Sequence, residues 1–387
     1  MKILNDLKDI SNSVATCLKC SMCTYGEWPD NAPLCPIYFH DKCFTHSAGG
    51  FMYIVRALLD SKMDYNKSMA NLAFTCTGCG ACDDICKIIP FSSPHASPSD
   101  IIRLLRYQLV KRNIIPTGKI EDIYKGVKSK SFFRGHFPIS RTLEKVRNDK
   151  SDITIFAECL HSDKEIKIYE SAFRVFEKMG LSAGIFSGEG CCGSTLYDYG
   201  FWDSLNEIVE KTFKQMRQIR GGQILFINPH CQEFVREVYP QIIPEYGDIT
   251  ILHISEFLLK SLKNGTLKAK KNSRIKVSYH DPCHLGRGLG IYDAPRILLS
   301  SLDGVELIEM ERNRGNSFCC GARSVNNYFQ GFLESTAWNR IEEFKKTKAE
   351  LLVTACPYCK EAFQNALGAD QKGIVLDLIE FVDSRTD

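Results

Sequence analysis

The sequence has no run of about 18 apolar residues, the length that a membrane-spanning helix needs. Its first nine residues alternate charged and apolar side chains and lack the apolar stretch of a signal peptide. The formal charge of +3 is close to neutral, which gives no reason to expect nucleic acid as a ligand. No glycine-rich dinucleotide fingerprint follows a predicted strand. We therefore predict a cytoplasmic protein, or one that lies at the inner face of the membrane only through a partner.

Cysteine, in contrast, is abundant, with 18 residues in a chain of 387. All of them except Cys43 fall into two kinds of pattern, which follow each other along the chain. In a reducing cytoplasm, clustered cysteines are metal ligands far more often than disulfides. Thiolates favour soft metals and iron–sulfur clusters. The composition thus indicates a redox or metal protein.

The first pattern consists of two cysteine runs with x₂–x₂ spacing, the spacing of two-cluster ferredoxins. In those proteins each cubane takes three ligands from one run and a fourth from the other. The first predicted 4Fe–4S cubane takes Cys17, Cys20, Cys23 and Cys86. The second takes Cys76, Cys79, Cys82 and Cys35. A zinc ribbon is the alternative, but zinc needs only four ligands and has no use for eight in this spacing.

This N-terminal module departs from the ferredoxin pattern in two places. Eleven residues separate Cys23 from Cys35, and Cys86 is followed by Lys87 instead of proline. We interpret residues 25–33 as a surface loop. Helical spacing of apolar residues from Phe51 to Leu59 predicts a helix between the runs. A second helix follows, with Ser99 or Asp100 as its predicted cap.

From residue 151 onward the sequence repeats itself. Cys191 and Cys319 are 128 positions apart, as are Cys231 and Cys359. Short apolar runs alternate with amphipathic helices in both halves, which predicts parallel sheets with helices on their faces. We predict an α-helical ferredoxin-like module and two repeated α/β domains related by a pseudo-twofold axis. The predicted boundaries are 1–115 for the module, 116–150 for a connector, 151–265 for the first repeat and 266–387 for the second.

The second repeat carries five cysteines in a Cys…Cys-Cys-Gly…Cys-x₂-Cys pattern. They are Cys283, Cys319, Cys320, Cys356 and Cys359. Adjacent cysteines cannot easily chelate one ion, but they can bridge different irons of a larger cluster. Five thiolates also exceed what a cubane needs. The set therefore suggests a cluster of unusual shape, with Gly321 permitting close approach of the backbone.

The first repeat lacks one cysteine of this pattern, because Asn228 stands in its place. The remaining four are Cys159, Cys191, Cys192 and Cys231. Four thiolates can hold zinc or an iron–sulfur cluster, and they can also pack as buried thiols. The sequence leaves these alternatives open.

The spacing in the second repeat, together with residues 281–287 (Asp-Pro-Cys-His-Leu-Gly-Arg), resembles the cysteine-rich CCG domain of heterodisulfide reductases. With the N-terminal module, the whole chain resembles the D-type iron–sulfur subunit of heterodisulfide reductases. It is also similar to the iron–sulfur subunits of glycolate, lactate and glycerol-3-phosphate dehydrogenases. For the reductases, the resemblance implies a noncubane 4Fe–4S cluster that cleaves a disulfide in two one-electron steps. The five cysteines of the second repeat would then be the catalytic ligands.

Several residues beside the cysteines are further candidates. Arg287 and Arg323 flank the second-repeat motif and could bind the anionic ends of a substrate or partner, because guanidinium groups fit carboxylates, sulfonates and phosphates. Surface salt bridges are the alternative. His284 lies next to Cys283. For His284, and likewise for His280, His230 and His161, we expect hydrogen bonds to cluster sulfur rather than ligation.

We predict an iron–sulfur oxidoreductase subunit that carries electrons from two cubanes to the noncubane cluster, for disulfide reduction. The alternative is a relay without substrate chemistry, in a flavoprotein hydroxyacid dehydrogenase or a benzoyl-CoA-reductase-like complex. A zinc-stabilised scaffold would leave the ferredoxin spacing unexplained. Expected partners are a flavoprotein, a cytochrome b-type membrane subunit or a ferredoxin-type donor. A flavin or nicotinamide would come with another subunit.

Overall fold

The computed structural model describes residues 2–25, 33–88, 97–129, 151–157, 163–186, 191–219, 223–247, 249–322 and 331–387. The region before residue 130 is helical within these ranges, and two α/β units follow it. The α-helices of the first region are Ser11–Ala15, Met22–Tyr25, Pro36–Asp41, Ala48–Leu59, Lys67–Ala73, Ala81–Ile88, Pro98–Lys111 and Lys119–Lys128. The last of them lies in the predicted connector, whose remainder, residues 130–150, is outside the described ranges.

Helix Ala48–Leu59 matches the apolar spacing that predicted it. The predicted cap of helix Pro98–Lys111 was wrong. Ser97 is the N-cap, and its side chain accepts a hydrogen bond from the Asp100 backbone N–H. Pro98 explains the difference, because proline fits the first helical position, where an N–H would have no partner in the helix. The helix therefore begins before Ser99, which lies inside it.

Each α/β unit contains a four-stranded parallel sheet. The strands are β1 (Ile153–Phe156), β2 (Ala183–Ile185), β3 (Gln223–Phe226) and β4 (Thr250–His253) in the first unit, and β5 (Ile275–His280), β6 (Val305–Leu307), β7 (Leu351–Thr354) and β8 (Val375–Asp377) in the second. The order is β2-β1-β3-β4 in one sheet and β6-β5-β7-β8 in the other. The prediction of two parallel-sheet units is confirmed. The pseudo-twofold relation between them stays a prediction.

Amphipathic helices cover the sheets, because each helix places one apolar stripe against them. Those of the first unit are Asp163–Lys178, Ser194–Asp198, Leu205–Met216, Pro229–Glu237, Tyr239–Ile242 and Ile254–Lys263. Those of the second unit are Asp293–Ser300, Phe332–Lys346, Pro357–Leu367 and Leu378–Arg385. A π-helix, His284–Gly288, directly follows Cys283. Such short irregular turns are frequent at functional sites.

The three regions share their hydrophobic cores. One core joins the N-terminal helices to the first α/β unit, where Trp202 stacks on Tyr107 and on Tyr197 with ring centroids 4.8 and 5.4 Å apart. Another joins the two α/β units, and it includes Phe176 from the first and Phe381 from the second. These shared cores hold the predicted cluster regions at fixed positions relative to one another.

A buried ion pair supports the first of these interfaces. Arg103 of helix Pro98–Lys111 donates from Nε to Asp198 Oδ1 at 2.9 Å, and both side chains are about 4% exposed. We expect Arg103→Met to lower the free energy of unfolding by about 3 kcal/mol, because a buried carboxylate loses its cationic partner. Urea unfolding followed by tryptophan fluorescence measures this. Arg56→Met is the control, since the Arg56–Asp60 pair is exposed and contributes at most about 1 kcal/mol. Equal losses in both variants would contradict the prediction.

Candidate metal centres

The first cysteine run and the last cysteine of the second run line one cavity. Its cysteines are Cys17, Cys20, Cys23 and Cys86. The loop turns around the cavity because Lys19 and Ser21 adopt positive φ angles of 55° and 62°, a left-handed conformation that is uncommon outside glycine. Cys20 is exposed to solvent, so this cavity lies at the protein surface. The four predicted ligands of the first cubane thus surround the same space.

A second cavity lies beside the first and shares Cys23 with it. Its other cysteines are Cys35, Cys76, Cys79 and Cys82. Gly78 and Gly80 have φ angles of +66° and +68°, which glycine adopts without steric cost, and they let the loop wrap around the cavity. The backbone N–H of Gly78 donates to Cys76 Sγ at 3.4 Å. The four predicted ligands of the second cubane therefore also line one cavity. Residues 26–32 of the predicted surface loop lie outside the described residues.

The chemistry of these donors fits a metal cluster better than it fits free thiols. Burial raises the pKa of Cys23 to about 12, and the neighbouring Cys17 adds to the rise. Burial also raises the pKa of Cys35 to about 12. A buried thiolate without a cation is unfavourable, so converging thiols gain stability when they ligate a positively charged centre. A donor set made only of sulfur selects iron–sulfur clusters or zinc.

The five predicted ligands of the second repeat also come together. Cys283 follows strand β5, and Cys356 is the N-cap of helix Pro357–Leu367, where its side chain makes no capping hydrogen bond. Cys320 Sγ lies 3.0 Å from Cys359 Sγ. Cys319 hydrogen-bonds both Cys283 and Cys320, and Cys359 hydrogen-bonds Cys356. These contacts join the five cysteines into one group, which we call the C-terminal centre.

Gly321 permits the approach of the backbone to this centre. Its φ angle is +83°, and its N–H donates to Cys319 Sγ at 3.3 Å. A Cβ atom at this position would lie 3.1 Å from two side-chain carbons of Thr336. Any larger residue would therefore be strained and would crowd the helix behind the cysteine pair.

The C-terminal centre touches the second cavity of the N-terminal region. Cys79 and Cys319 hydrogen-bond each other, and this contact lowers the pKa of Cys79 to about 6, with a further contribution from Arg287. Thr77 Oγ1 lies 3.6 Å from Cys319 Sγ. No sequence signal predicted this contact, because Thr77 and Cys319 are 242 positions apart. The predicted second cubane and the predicted noncubane site are therefore direct neighbours.

Arg287, His284 and Arg323 were predicted to contact a substrate or partner, and the structure places them differently. Arg287 donates from Nε to the Cys79 carbonyl at 2.9 Å and from one terminal nitrogen to the carbonyls of Gly315 and Ser317. It thus holds two internal segments together. His284 Nδ1 lies 2.5 Å from Glu233 Oε2 of the first unit. Although burial opposes its charge, the neighbouring Cys283 and Glu233 raise the pKa of His284. Arg323 lies outside the described residues.

The first unit brings together three of its four predicted ligands. Cys192 Sγ lies 3.2 Å from Cys231 Sγ, and the N–H of Gly193 donates to Cys191 Sγ at 3.3 Å. Cys159, like His161, lies outside the described residues. Polar side chains also reach the site, since Ser194 Oγ lies 3.1 Å from Cys192 Sγ. The cysteine geometry resembles that of the C-terminal centre around the cysteine pair.

Asn228 explains how the first unit loses its fifth ligand. Asn228 is the N-cap of helix Pro229–Glu237, and its side chain accepts a hydrogen bond from the His230 N–H at 2.9 Å. Cys356 is the N-cap at the corresponding position of the second unit, but its thiol is not used for capping. Asparagine is among the best N-cap residues, so this substitution exchanges a predicted metal ligand for helix capping.

We therefore expect the two units to hold different metal centres, because the number and type of ligands decide which centre a site accepts. Anomalous diffraction at the iron and zinc edges of the loaded protein tests this. The matched variant is Asn228→Cys, which restores the fifth thiol and is expected to make the first centre more like the second. Two indistinguishable centres in the unmodified protein would contradict the prediction.

A cavity of about 170 Å³ opens beside the C-terminal centre. Cys320 and Gly321 form part of its wall, and the side chains of Leu333, Tyr358 and Ala362 contribute to the rest. It also contains two carboxylates, Glu334 and Glu361, and its described lining includes no Lys or Arg. A ligand in this cavity would be adjacent to a cysteine of the centre.

Comparison with known proteins agrees with the cysteine patterns. Residues 13–88 match the 4Fe-4S dicluster domain family, and residues 153–236 and 277–364 match the cysteine-rich domain family. The chain is 28% identical over 321 residues to the D-type subunit of the dihydromethanophenazine:CoB–CoM heterodisulfide reductase of Methanosarcina barkeri, covering 79% of this chain and 76% of that subunit. It is 26% identical to the B-type subunit of the fumarate reductase (CoM/CoB) of Methanothermobacter marburgensis, covering 95% and 71%.

A further relative is the EtfAB:quinone oxidoreductase of Syntrophomonas wolfei, 28% identical over 240 residues, which are 58% of this chain and 33% of that protein. Among the described residues, no helix is both long enough and apolar enough to cross a membrane. The predicted resemblance to the D-type subunit of heterodisulfide reductases is confirmed, as are a 4Fe-4S module and two cysteine-rich domains.

Proposed function

Because this chain is an iron–sulfur oxidoreductase subunit related to the D-type subunit of heterodisulfide reductases, we propose that it carries electrons through its N-terminal cysteines to the C-terminal centre for the reduction of a disulfide. The first predicted cubane is held by Cys17, Cys20, Cys23 and Cys86, and the second by Cys35, Cys76, Cys79 and Cys82. A noncubane cluster is held by the C-terminal centre. Bound iron–sulfur clusters supply one-electron redox chemistry at potentials that the surrounding hydrogen bonds adjust.

One observation carries this proposal: the cysteine sites form an unbroken series through the protein. Cys20 is exposed in the first cavity, and Cys23 lines both the first and the second. Cys79, in the second cavity, contacts Cys319 of the C-terminal centre. Cys320, in turn, borders the open cavity. Such a series suits a protein that accepts electrons at one surface and delivers them at another.

The open cavity favours substrate chemistry over a simple relay. A relay needs no space for a ligand at its last centre, whereas a disulfide has to place a sulfur atom beside the metal. Glu334 and Glu361 in the cavity wall disfavour a ligand with several negative charges, since like charges repel. We therefore expect disulfides with neutral or cationic ends to react faster than those with sulfonate or phosphate ends.

Half-reduction of the cluster-loaded protein in the presence of thiols tests the proposal. The expected result is a paramagnetic species that appears only when a thiol is added, together with disulfide turnover from an artificial electron donor. Cystamine and the heterodisulfide of coenzymes M and B are suitable cationic and anionic substrates. If the protein passes electrons between partner subunits but gives neither a thiol-dependent signal nor turnover, the reductase function is wrong.

The second candidate is a relay subunit, and the similarity to the EtfAB:quinone oxidoreductase favours it. In that case the chain would transfer electrons between a flavoprotein and a membrane or ferredoxin-type partner, and the C-terminal centre would only receive and return them. The thiol experiment separates the two candidates, because a relay shows no response to thiol.

A further inference from the structure

A histidine and an arginine form a buried pair behind the C-terminal centre. His280 is the last residue of strand β5, and Arg340 lies in helix Phe332–Lys346; their side chains are about 1% and 0% exposed. Arg340 Nε donates to His280 Nδ1 at 3.1 Å. The His280 ring also lies beside Cys320, since one of its nitrogens is within 4.8 Å of the Cys320 sulfur and the two side chains interact. One ring thus connects a guanidinium group to a cysteine of the centre.

Arg340 decides which nitrogen of His280 carries the proton. A guanidinium group has only donors, so a hydrogen bond from Arg340 Nε requires a lone pair on Nδ1. A neutral imidazole with a free lone pair on Nδ1 has its proton on Nε2. Because the lone pair of Nδ1 is already used by Arg340, a hydrogen bond to Cys320 comes from the Nε2–H group. A nitrogen that carries a proton cannot ligate a metal.

The position of this proton decides between two roles for His280, metal ligand and hydrogen-bond donor. A ligand nitrogen of His280 lies within 4.8 Å of the sulfur atoms of Cys320 and Cys359, a spacing that would also allow the three residues to share one metal ion. The orientation imposed by Arg340 excludes that role and leaves His280 as a hydrogen-bond donor to sulfur. The sequence alone favoured this role but contained nothing that pointed to Arg340.

The position of Arg340 is itself held by acidic and basic neighbours. Its terminal nitrogen Nη1 pairs with Glu343, which also pairs with Arg312. Glu343 therefore keeps one cationic partner when Arg340 is replaced, and a variant of Arg340 does not leave an isolated buried carboxylate. This makes Arg312 a matched control, since it shares Glu343 with Arg340 but makes no hydrogen bond to His280 among those described.

Within its described residues, the first unit has no equivalent pair. Strand pairing aligns Phe156 with Phe226 in that unit and His280 with Thr354 in the second. Phe226 and Thr354 are 128 positions apart, as are Cys191 and Cys319, so they are equivalent residues of the two repeats. Their strand partners are then equivalent too, and Phe156 occupies the place of His280. By the same spacing, Thr212 occupies the place of Arg340, and its hydroxyl donates to the Cys191 carbonyl. The histidine–arginine pair thus belongs to the unit with five cysteines.

We infer that Arg340 fixes His280 as an N–H donor to the Cys320 sulfur, and that this hydrogen bond raises the reduction potential of the C-terminal centre above that of a centre without it. The inference rests on the proposed presence of a cluster at these five cysteines. A hydrogen bond to a ligating sulfur stabilises the more negative, reduced state of a cluster, which raises its potential. Arg340 acts through His280 and is a positioning residue.

Redox titration of the loaded protein, followed by electron paramagnetic resonance, tests the inference. At a fixed solution potential we expect His280→Phe, which copies the first unit, to lower the ratio of reduced to oxidised C-terminal centre at least tenfold, or about 59 mV for one electron. Arg340→Met is expected to lower this ratio as well. Arg340→Lys can still donate to Nδ1, so its ratio should lie close to that of the unmodified protein. Arg312→Met should leave it unchanged, and the N-terminal clusters provide an internal reference.

A second measurement needs no substitution. Electron–nuclear double resonance on protein labelled with ¹⁵N-histidine distinguishes ligation from hydrogen bonding. We expect a weak nitrogen coupling and a proton coupling that disappears in D₂O. A strong coupling from a directly bonded nitrogen would overturn the inference, and so would an unchanged potential in His280→Phe. Absence of iron from the five-cysteine site would instead overturn the proposed function, and the inference with it.

Discussion

In a Cys320→Ser variant, the thiol-dependent paramagnetic species and all disulfide turnover are expected to disappear, while the N-terminal clusters still become reduced. Cys320 contacts two other cysteines and the open cavity. Its Sγ lies 3.0 Å from Cys359 Sγ, it hydrogen-bonds Cys319, and it borders the cavity. A serine hydroxyl is a harder ligand than a thiolate and is a poor substitute for it at cluster iron. The loss should therefore be complete, and the spectra of the loaded variant at two potentials would measure it.

Cys192→Ser is the matched control for this variant. Cys192 is the second cysteine of the adjacent pair in the first unit and lies 3.2 Å from Cys231. It shares the local geometry of Cys320, but it is not among the residues that line the open cavity. We expect this variant to keep the thiol response. If the response disappears in Cys192→Ser and persists in Cys320→Ser, the reacting site has been assigned to the wrong unit.

The second large effect is expected from Cys86→Ser. Cys86 belongs to the second cysteine run but lines the cavity of the first. Its replacement should remove the cluster at Cys17, Cys20 and Cys23, a loss of about four irons per chain. The cluster of the second cavity should remain, since its cysteines are unchanged. Iron analysis and paramagnetic resonance of the reduced variant measure both quantities.

Cys43→Ser provides the comparison for Cys86→Ser, because Cys43 is an exposed cysteine outside both patterns. Its iron content should equal that of the unmodified protein. The assignment of Cys86 to the cubane of the first run predicts which cluster is lost as well as how much iron is lost. Loss of the cluster at Cys76 in the Cys86→Ser variant, with the first cluster intact, would refute that assignment.

The sequence predicted the classes of structure well because they depend on local patterns. Alternating apolar runs gave two units with parallel sheets, since parallel strands are buried on both faces and are joined through helices. The cap of helix Pro98–Lys111 was missed because Ser97, Ser99 and Asp100 are all good N-cap residues. Only Pro98 distinguishes them, through its preference for the first helical position.

The sequence predicted the candidate ligands of each site, but it did not predict which groups surround them. Cysteine spacing gave sets whose described members come together, because each spacing is typical of a domain that brings its separate runs to one site. The contact between Cys79 and Cys319 depends instead on how whole regions pack, and no local pattern contains it. The contacts of Arg287 were likewise not predictable from its place in the sequence. Its position beside the motif suggested an anion-binding side chain, yet it donates to backbone carbonyls inside the protein.

The core shared by the N-terminal helices and the first α/β unit has a consequence for synthesis of the protein. The Lys2 carbonyl accepts a hydrogen bond from Tyr197, and Arg103 pairs with Asp198, so the N-terminal helices complete their packing only after that unit has left the ribosome. Translation from residue 86 to residue 240 takes on the order of ten seconds. During this interval the helices that carry the N-terminal cysteines lack these contacts. We therefore expect the N-terminal sites to reach their final rigidity only late in synthesis.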